Sequence, residues 1–553
     1  MLSQIFGRRA ARTRGLRKIE NKGSNGPIRL RLTAVAVLGF FAIFTPGCGS
    51  DATDLRTVLP ADALVYLESK DLGAAVRAVA ENDAVRQHSA SMPNLSVIDG
   101  IELAVAVTGF ETSEQQLTEE VSVLNFQPRF VAVAETGLWN FQVIAFTEEH
   151  LGAFVNDVYG GEVLLETSDK HTGKYFVWTA RDGRKAYAYV EGSLVFFGND
   201  ETAIEKALAV KRGEAESIAR NPKIAGGERL AFGYVAPDGV AQIANIAGIS
   251  LAKRSGDEAE VQSFIARVLP EMLRNSLKEV IWTATATEEG IEDRYTIATD
   301  PEIAAVLRET LRPSADPTSG LNAYIPNGFV SATRYDLQDA RIGWRSVLLT
   351  AQKVTDEVSG GIIAAFSGSL FEPYGIDDPE GFLAVAASPI YTIRFDADGE
   401  QAAAIVRTND VEKMKLALAK ELDFRAGPGV EGDFSVWRSA ENDIAAGFSG
   451  EVVIVGEPGA VMRCIQAKQQ APAPAAEHFA NSPSAGGPVS KTAGFDVDTA
   501  RAVITVLSGQ PPATDPEFSV YLTEMRFDQK GAERRTVSQF GFIGMIIAQF
   551  AGE

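Results

Sequence analysis

The sequence predicts an α+β fold, built as two tandem copies of an antiparallel-sheet domain with helices packed on one face. Residues 186–189 and 281–286 alternate with a period of two, which is typical of half-buried strands. Acid-glycine pairs at 182–183 and 289–290 indicate hairpin turns between such strands. Helical segments such as residues 201–208 lie between the strands, and Asp200 stands where a helix cap is expected.

The chain begins with an export signal. A basic region is followed by the apolar run 32–44 and then by Thr45-Pro46-Gly47-Cys48. A helix of that run would span about 20 Å, which is short of the ~30 Å hydrocarbon core of a bilayer. A basic start, a short apolar centre and small residues at the end are typical of a secretory signal, here residues 1–47.

This segment resembles a bacterial lipoprotein signal. Gly47 before Cys48 agrees with that family, whereas Thr45 and Pro46 depart from its usual leucine and small residue. The resemblance implies cleavage before Cys48 and a diacylglyceryl group on its sulfur, followed by a short tether, 48–57. It also implies an exported body held by lipid at the outer membrane or cell envelope. The alternative is an uncleaved signal anchor, which also leaves the body outside the cytoplasm.

A repeat divides the rest of the chain. Leu59-Pro60 and the residues after it recur from Ile325-Pro326 onward, and the distance between matching residues falls steadily along the chain. The sequence therefore predicts a first copy at 58–312, a linker at 313–320 and a second copy at 321–553. The linker is rich in proline and glycine. Three further matches support the duplication: Thr147 with Thr408, the run 192–198 with 450–456, and Gly290 with Gly531.

The opening strand Pro60-Ala61-Asp62-Ala63, repeated with its helix, resembles an uncharacterised family of bacterial exported proteins with a domain of unknown function. The resemblance covers most of 55–553. Its motifs are structural, and it implies no catalytic residues.

The charge of the body argues against nucleic-acid binding. The whole chain carries a net charge of -21, and residues 1–47 hold nine of its basic groups and one acid. The remaining chain therefore has 43 basic and 72 acidic residues, a net of -29. Such a body lacks the basic surface that would replace the counterions of a phosphate backbone.

No constellation of residues predicts catalysis, a cofactor or a metal site. The four histidines, His88, His150, His171 and His478, show no metal-ligand spacing. Cys464 lies in an expected helix and is interpreted as a small buried residue. The densest acidic cluster is Asp377-Asp378-Pro379-Glu380, for which sugar or calcium binding is weighed against a surface loop, and the loop is favoured.

Three functions remain open. The preferred hypothesis is a non-enzymatic binding or scaffold module of the cell envelope, attached to the membrane through lipid on Cys48, with an envelope protein or glycan as partner. A second is a secreted hydrolase of envelope polymers that uses carboxylates in a cleft between the copies. A third is a carrier of a hydrophobic ligand, which requires an apolar cavity.

Overall fold

The computed structural model describes residues 53–88, 95–116, 122–224, 226–254, 259–314, 320–470, 479, 487–512 and 521–549. The signal peptide 1–47 and Cys48 lie outside this range, as does most of the predicted linker. The prediction of an α+β fold is confirmed, because antiparallel strands form one open sheet with helices packed against it. Within the described residues, no helix is long and apolar enough to cross a bilayer.

The first half contributes ten strands, described here as β1 to β10, with helices α1 to α8 between them. These elements are β1 Val65–Ser69, α1 Leu72–Ala80, α2 Asp83–His88, β2 Glu102–Gln116, β3 Ser122–Glu135, α3 Asn140–Phe146, α4 Gly152–Tyr159, β4 Leu164–Lys170, β5 Gly173–Thr179, β6 Lys185–Glu191, β7 Leu194–Gly198, α5 Glu201–Lys211, β8 Ala231–Val235, α6 Pro237–Arg254, α7 Ala259–Ser276, β9 Leu277–Thr287, β10 Gly290–Thr299 and α8 Pro301–Thr310.

Among the residues that the structure describes, the second half contributes another ten strands and seven helices. They are β11 Ser331–Tyr335, α9 Ala340–Lys353, α10 Glu357–Ser367, α11 Pro379–Val385, β12 Ala386–Arg394, β13 Ala402–Thr408, α12 Val411–Ala417, β14 Gly429–Glu431, β15 Phe434–Arg438, β16 Ala445–Ser449, β17 Val452–Gly456, α13 Pro458–Ala467, β18 Ser490–Gly494, α14 Val497–Ser508, β19 Tyr521–Phe527, β20 Gly531–Ser538 and α15 Gly541–Ala548.

Strand pairing follows the same order in both halves. In the first half the strands lie side by side as β4-β5-β6-β7-β3-β2-β1-β8-β9-β10, all antiparallel. In the second half they lie as β14-β15-β16-β17-β13-β12-β11-β18-β19-β20. A duplicated domain would produce this correspondence, and the duplication itself stays a prediction.

The two halves join edge to edge through their last strands. β10 pairs with β20 in antiparallel register, from Ile291 opposite Ser538 to Ala298 opposite Gly531. The matched pair Gly290 and Gly531 makes Arg294 the counterpart of Arg535, and these two residues lie opposite one another at the centre. The junction therefore has the self-complementary pattern of a two-fold symmetric interface.

Both faces of the sheet are covered, which refines the expectation of helices on one face. Side chains alternate along each strand, so the two faces bury separate cores. In the first half, α1 to α4 cover one core, in which Val105 and Phe197 take part. Helix α5 covers the other core, in which Ala104 and Phe196 take part. The second half likewise has two cores.

One domain boundary and one match between the repeats differ from the sequence-based predictions. The folded body begins inside the expected tether 48–57, because Leu55 and Val58 belong to a short 3-10 helix and are buried in the core. The match of Thr147 with Thr408 is wrong. Thr408 ends strand β13, whereas Thr147 is buried within a continuous helical stretch, and the strand register makes Thr136 the counterpart of Thr408.

The C-terminal helices of the second half complete a core of the first half. Val503 and Ile504 of α14, with Ile543 and Ile547 of α15, pack into the core that α1 covers. The buried carboxylate of Asp293 on β10 accepts hydrogen bonds from Trp282 Nε1 at 2.8 Å and from the backbone N–H of Phe542 at 2.7 Å. The halves therefore share a core as well as a sheet.

Candidate functional site

A cleft of about 620 Å³ opens in the first half where strand β7 ends. Beyond Gly198 the chain leaves the sheet and enters α5, so the position between β3 and β6 is vacated. Adjacent strands lie about 4.8 Å apart, and the two strands that flank β7 are therefore separated by about 10 Å. The cleft is one strand wide, and it is bounded by residues 127–130, 182–187 and 199–202.

One wall of the cleft belongs to an arm formed by β2 and β3. The outer part of this hairpin, 109–116 with 122–129, pairs only with itself, because β1 and β7 stop short of it. Asn199 closes the inner end of the slot. Its side chain accepts from Phe130 N at 3.1 Å and donates to Pro128 O at 2.8 Å, as a neighbouring strand would.

Charged side chains of both signs stand at the mouth of the cleft. The guanidinium of Arg129 lies 3.4 Å from a carboxylate oxygen of Glu111 and 3.5 Å from one of Asp200. Asp200 also caps α5 by accepting from Thr202 N at 2.8 Å. Arg129 is about half exposed, so this wall presents a cation held between two carboxylates to any molecule in the cleft.

The floor of the cleft is formed by α4 and carries aromatic and aliphatic side chains. Tyr159 donates from its hydroxyl to Lys185 O at 2.9 Å, and the Arg184 guanidinium lies 4.5 Å from the centre of its ring. Burial raises the pKa of Tyr159 to about 12, so the phenol stays protonated and keeps this hydrogen bond at neutral pH. Phe154 and Val158 complete the floor between Tyr159 and the sheet.

This arrangement suits binding of an extended chain. A slot one strand wide, open to solvent, with an apolar floor and charged walls can hold a peptide segment in the direction of the missing strand. Asn199 is hydrogen-bonded to β3 on one side of the slot, and Tyr159 is hydrogen-bonded to Lys185 of β6 on the other. The second half has no equivalent arm, because its hairpin turns at 395–401, immediately beside Gly456.

The acidic cluster predicted from the sequence serves the fold. Asp378 caps α11 by accepting from Gly381 N at 2.9 Å, and Asp377 accepts from Lys420 N at 3.1 Å. Glu380 forms an ion pair with Arg345. Each carboxylate of the cluster therefore has a structural partner, and the cluster forms the start of α11, where the sequence analysis favoured a surface loop.

Cys464, His150 and His171 also fall in ordinary structural positions. Cys464 lies on α13 and is fully buried in the core, and burial raises the pKa of its thiol, so it is a packed apolar residue as predicted. His150 lies against the ring of Phe146, and His171 occupies a hairpin turn. His478 lies outside the described residues. Across the described parts of the chain, no group of three or more potential ligands could hold a metal ion.

Glu292 and Glu533, one from each half, lie at the β10–β20 junction, and each is paired with arginine. Glu292 lies 2.7 Å from Arg535 and 3.0 Å from Arg294. Its counterpart Glu533 pairs with Arg526 and Arg294. Ion pairing favours the charged form of a carboxylate, and the pKa of Glu292 is lowered despite its burial. Glu292 therefore lacks the raised pKa that a general acid requires.

Sequence reasoning missed the cleft. Its residues come from an arm, a helix and a hairpin turn that are separate in the chain, and none of them forms a known motif. The one available signal was the length of the β2–β3 region, which is longer than its counterpart in the second half.

Comparisons with known proteins add little to this picture. No family model matches the chain, and no curated protein matches it. A comparison with solved structures finds the protein TP0453 in its crystal form IV, at 11% identity and a TM-score of 0.23. The match covers 46% of this chain and 82% of that one, and a similarity at this level carries no argument about function.

Proposed function

We propose that the protein is a non-enzymatic binding or scaffold module of the cell envelope, attached to a membrane through lipid on Cys48. The observation that carries the proposal is the cleft beside β7, which is one strand wide and belongs to the half that begins near the lipid attachment site. We assign to this cleft an extended segment of a partner envelope protein.

The chemistry of the walls supports a protein segment as the occupant. Lysine and arginine of the partner would meet Glu111 and Asp200, whereas its acidic residues would meet Arg129. The aromatic floor would cover the apolar side chains of every second residue, because side chains of an extended strand alternate. Charges of both signs would determine the register and the specificity of the bound segment more than they would increase its affinity.

The two other candidate functions have less support. A hydrolase requires carboxylates with separated pKa values in a shared cleft, whereas at the junction of the halves Glu292 and Glu533 are paired with arginine and Asp293 is buried in the core. A carrier of a hydrophobic ligand requires an enclosed apolar cavity, whereas the cleft beside β7 is open and has charged walls. Binding without chemistry is therefore the function that we propose.

A site-specific photocross-link tests the proposal in intact cells. A photoreactive amino acid at Gln127 in the cleft wall should give one reproducible adduct, whose partner is then identified by mass spectrometry. The same group at Leu416, which is exposed in the second half, should not give that adduct. Val158→Trp, which fills the floor, should reduce the adduct at least five-fold. Equal yields from both positions, or an adduct that survives Val158→Trp, would contradict the assignment.

The same preparation tests the anchor. Mass spectrometry of the N-terminal peptide should find diacylated Cys48. An N-terminus that still begins near Met1 would refute lipid attachment and leave a signal-anchored protein.

A further inference from the structure

Two large aromatic side chains project into solvent immediately after strand β3. Trp139 is 63% exposed and Phe141 is 70% exposed, whereas Trp178 and Trp282 are buried. An exposed tryptophan beside an exposed phenylalanine is costly to keep in water unless a partner covers them. They contribute little to the core, and the residue before them, Leu138, is the one that is buried there.

The loop that carries these rings is held in place by hydrogen bonds. The Trp139 backbone N–H donates to Gln142 Oε1 at 3.2 Å, and Gly192 N donates to Asn140 Oδ1 at 3.1 Å. Thr136 donates to Ser193 O at 2.8 Å. The two rings therefore stand on a supported turn beside the β6–β7 hairpin, and they project from the same end of the sheet.

The described chain enters the fold at this same end. The Arg56 guanidinium donates to Asp54 at 2.8 Å and to the carbonyl of Ile224 at 3.1 Å, in the segment that leads into β8. Where β8 begins, the carbonyl of Leu230 accepts from the hydroxyl of Ser69 at 2.8 Å, and Ser69 lies opposite Leu103, the neighbour of Glu102. Glu102 lies opposite Glu135 in the β2–β3 register, and Trp139 follows four residues after Glu135. Cross-strand neighbours lie about 5 Å apart, so Asp54 and Trp139 share one end of the sheet.

The distance to the lipid is limited by the chain. Five residue steps separate Cys48 from Thr53, where the described chain begins, and even fully extended they span at most about 18 Å. A bilayer that holds the lipid of Cys48 therefore lies close to the end of the sheet from which Trp139 and Phe141 project. Tryptophan favours the boundary between the headgroups and the acyl chains, because its ring is apolar and its N–H donates to polar groups.

We propose that Trp139 and Phe141 insert into the interfacial region of the bilayer and dock this end of the sheet against it. The inference rests on the proposed lipid at Cys48. Because the body carries a net charge of -29 beyond residue 47, attraction to anionic lipid contributes little, and the contact depends on the two aromatic rings. The lipid would hold the protein at the membrane, and the rings would fix its orientation there.

Fluorescence quenching by brominated lipid tests the contact. The full lipidated chain is reconstituted into phosphatidylcholine vesicles whose acyl chains carry bromine near the headgroup, and flotation first shows that it is anchored. Bromine should quench part of the tryptophan emission. In Trp139→Phe, which keeps an aromatic ring but removes the reporter, the quenched part should be at least two-fold smaller.

Two more variants separate docking from anchoring. Phe141→Ser should reduce the quenching of Trp139, whereas Leu416→Ser, at an exposed apolar position in the second half, should leave it unchanged. Protein that floats without quenching, or with equal quenching in Trp139→Phe, overturns the inference alone. Protein that fails to float overturns the proposed anchor and the inference with it.

Discussion

The carboxylate of Asp293 makes the stability of the junction between the halves depend on pH. Its side chain is 3% exposed, and its oxygens accept from Trp282 Nε1 and Phe542 N. Burial raises its pKa from 3.8 to about 6, although both hydrogen bonds act in the opposite direction. The folded protein therefore holds a proton at this site under conditions in which the unfolded chain has lost it.

The sign and size of the effect follow from this shift. A carboxylate whose pKa is raised on folding adds stability at pH values below its unfolded pKa, and that stability is lost as the pH rises through the folded pKa. A shift of about two units corresponds to about 3 kcal/mol in total, of which about 2 kcal/mol is lost between pH 4.5 and 6.5. Above pH 7 the contribution no longer changes.

Comparison with Asp293→Asn isolates this group from the other carboxylates. Urea unfolding of both proteins, followed by circular dichroism at pH 4.5, 5.5, 6.5 and 7.5, gives the free energy of unfolding at each pH. The wild-type value minus the variant value should fall by about 2 kcal/mol between pH 4.5 and 6.5. A difference that stays constant over that range, or that rises with pH, would refute the assignment of the raised pKa to Asp293.

Three substitutions test packing within the second half and between the two halves. Gly531 has a φ of 144°, and an added Cβ would lie 2.2 Å from a carbonyl of β10. Gly531→Ala should therefore lower the free energy of unfolding, measured by thermal unfolding, by more than about 2 kcal/mol. Gly183→Ala, in an open turn, should lower it by about 1 kcal/mol. Arg334→Ala should cost about 3–5 kcal/mol because it leaves the buried Asp336 unpaired, and Arg334→Leu combined with Asp336→Leu should recover most of that in the same assay. Ile543→Ala should lower the free energy of unfolding by about 2–5 kcal/mol and increase proteolytic cleavage within the first half. Increased cleavage in the second half alone would contradict the shared core.

The sequence predicted those features that depend on local constraints. The matched glycines Gly198 and Gly456 are each the last residue of a strand, and at each a Cβ would lie within 2.3 Å of a carbonyl on the adjacent strand. Only glycine is tolerated where backbones approach so closely, so these positions are recognisable in both halves. The hairpin turns at Gly183, Gly192 and Gly290 have positive φ, as acid-glycine pairs predict.

The matching of residues between the two halves failed where each half has an insertion at a different place and the two insertions have similar lengths. The β2–β3 arm lengthens the first half, whereas α10 and α11 add residues between β11 and β12 in the second. The two additions have nearly opposite effects on the sequence distance between matching residues of the two halves. That distance therefore seemed to change steadily along the chain, and Thr147 became the apparent counterpart of Thr408. Strand register, which depends on hydrogen bonds between distant segments, was needed to identify Thr136 instead.

The cleft was also beyond prediction from the sequence. It exists because β7 ends at Gly198 while β3 and β6 continue past it, and relative strand lengths depend on the completed sheet. Asn199, which holds the inner end of the slot, looks like an ordinary residue between a strand and a helix. Its role appears only once Pro128 and Phe130 lie beside it.

The shared core also determines the order in which the molecule can fold. Asp293 and Phe542 are 249 residues apart, and β10 has no strand partner on one side until β20 arrives. Contacts between residues so far apart in the sequence form slowly during folding. Until they form, the unpaired edge of β10 can pair with strands of other chains. A first half that is synthesised ahead of the second would therefore have an unpaired strand edge and an incomplete core until the second half folds. Its period of greatest vulnerability to proteases and to aggregation ends only when the last helix of the chain docks.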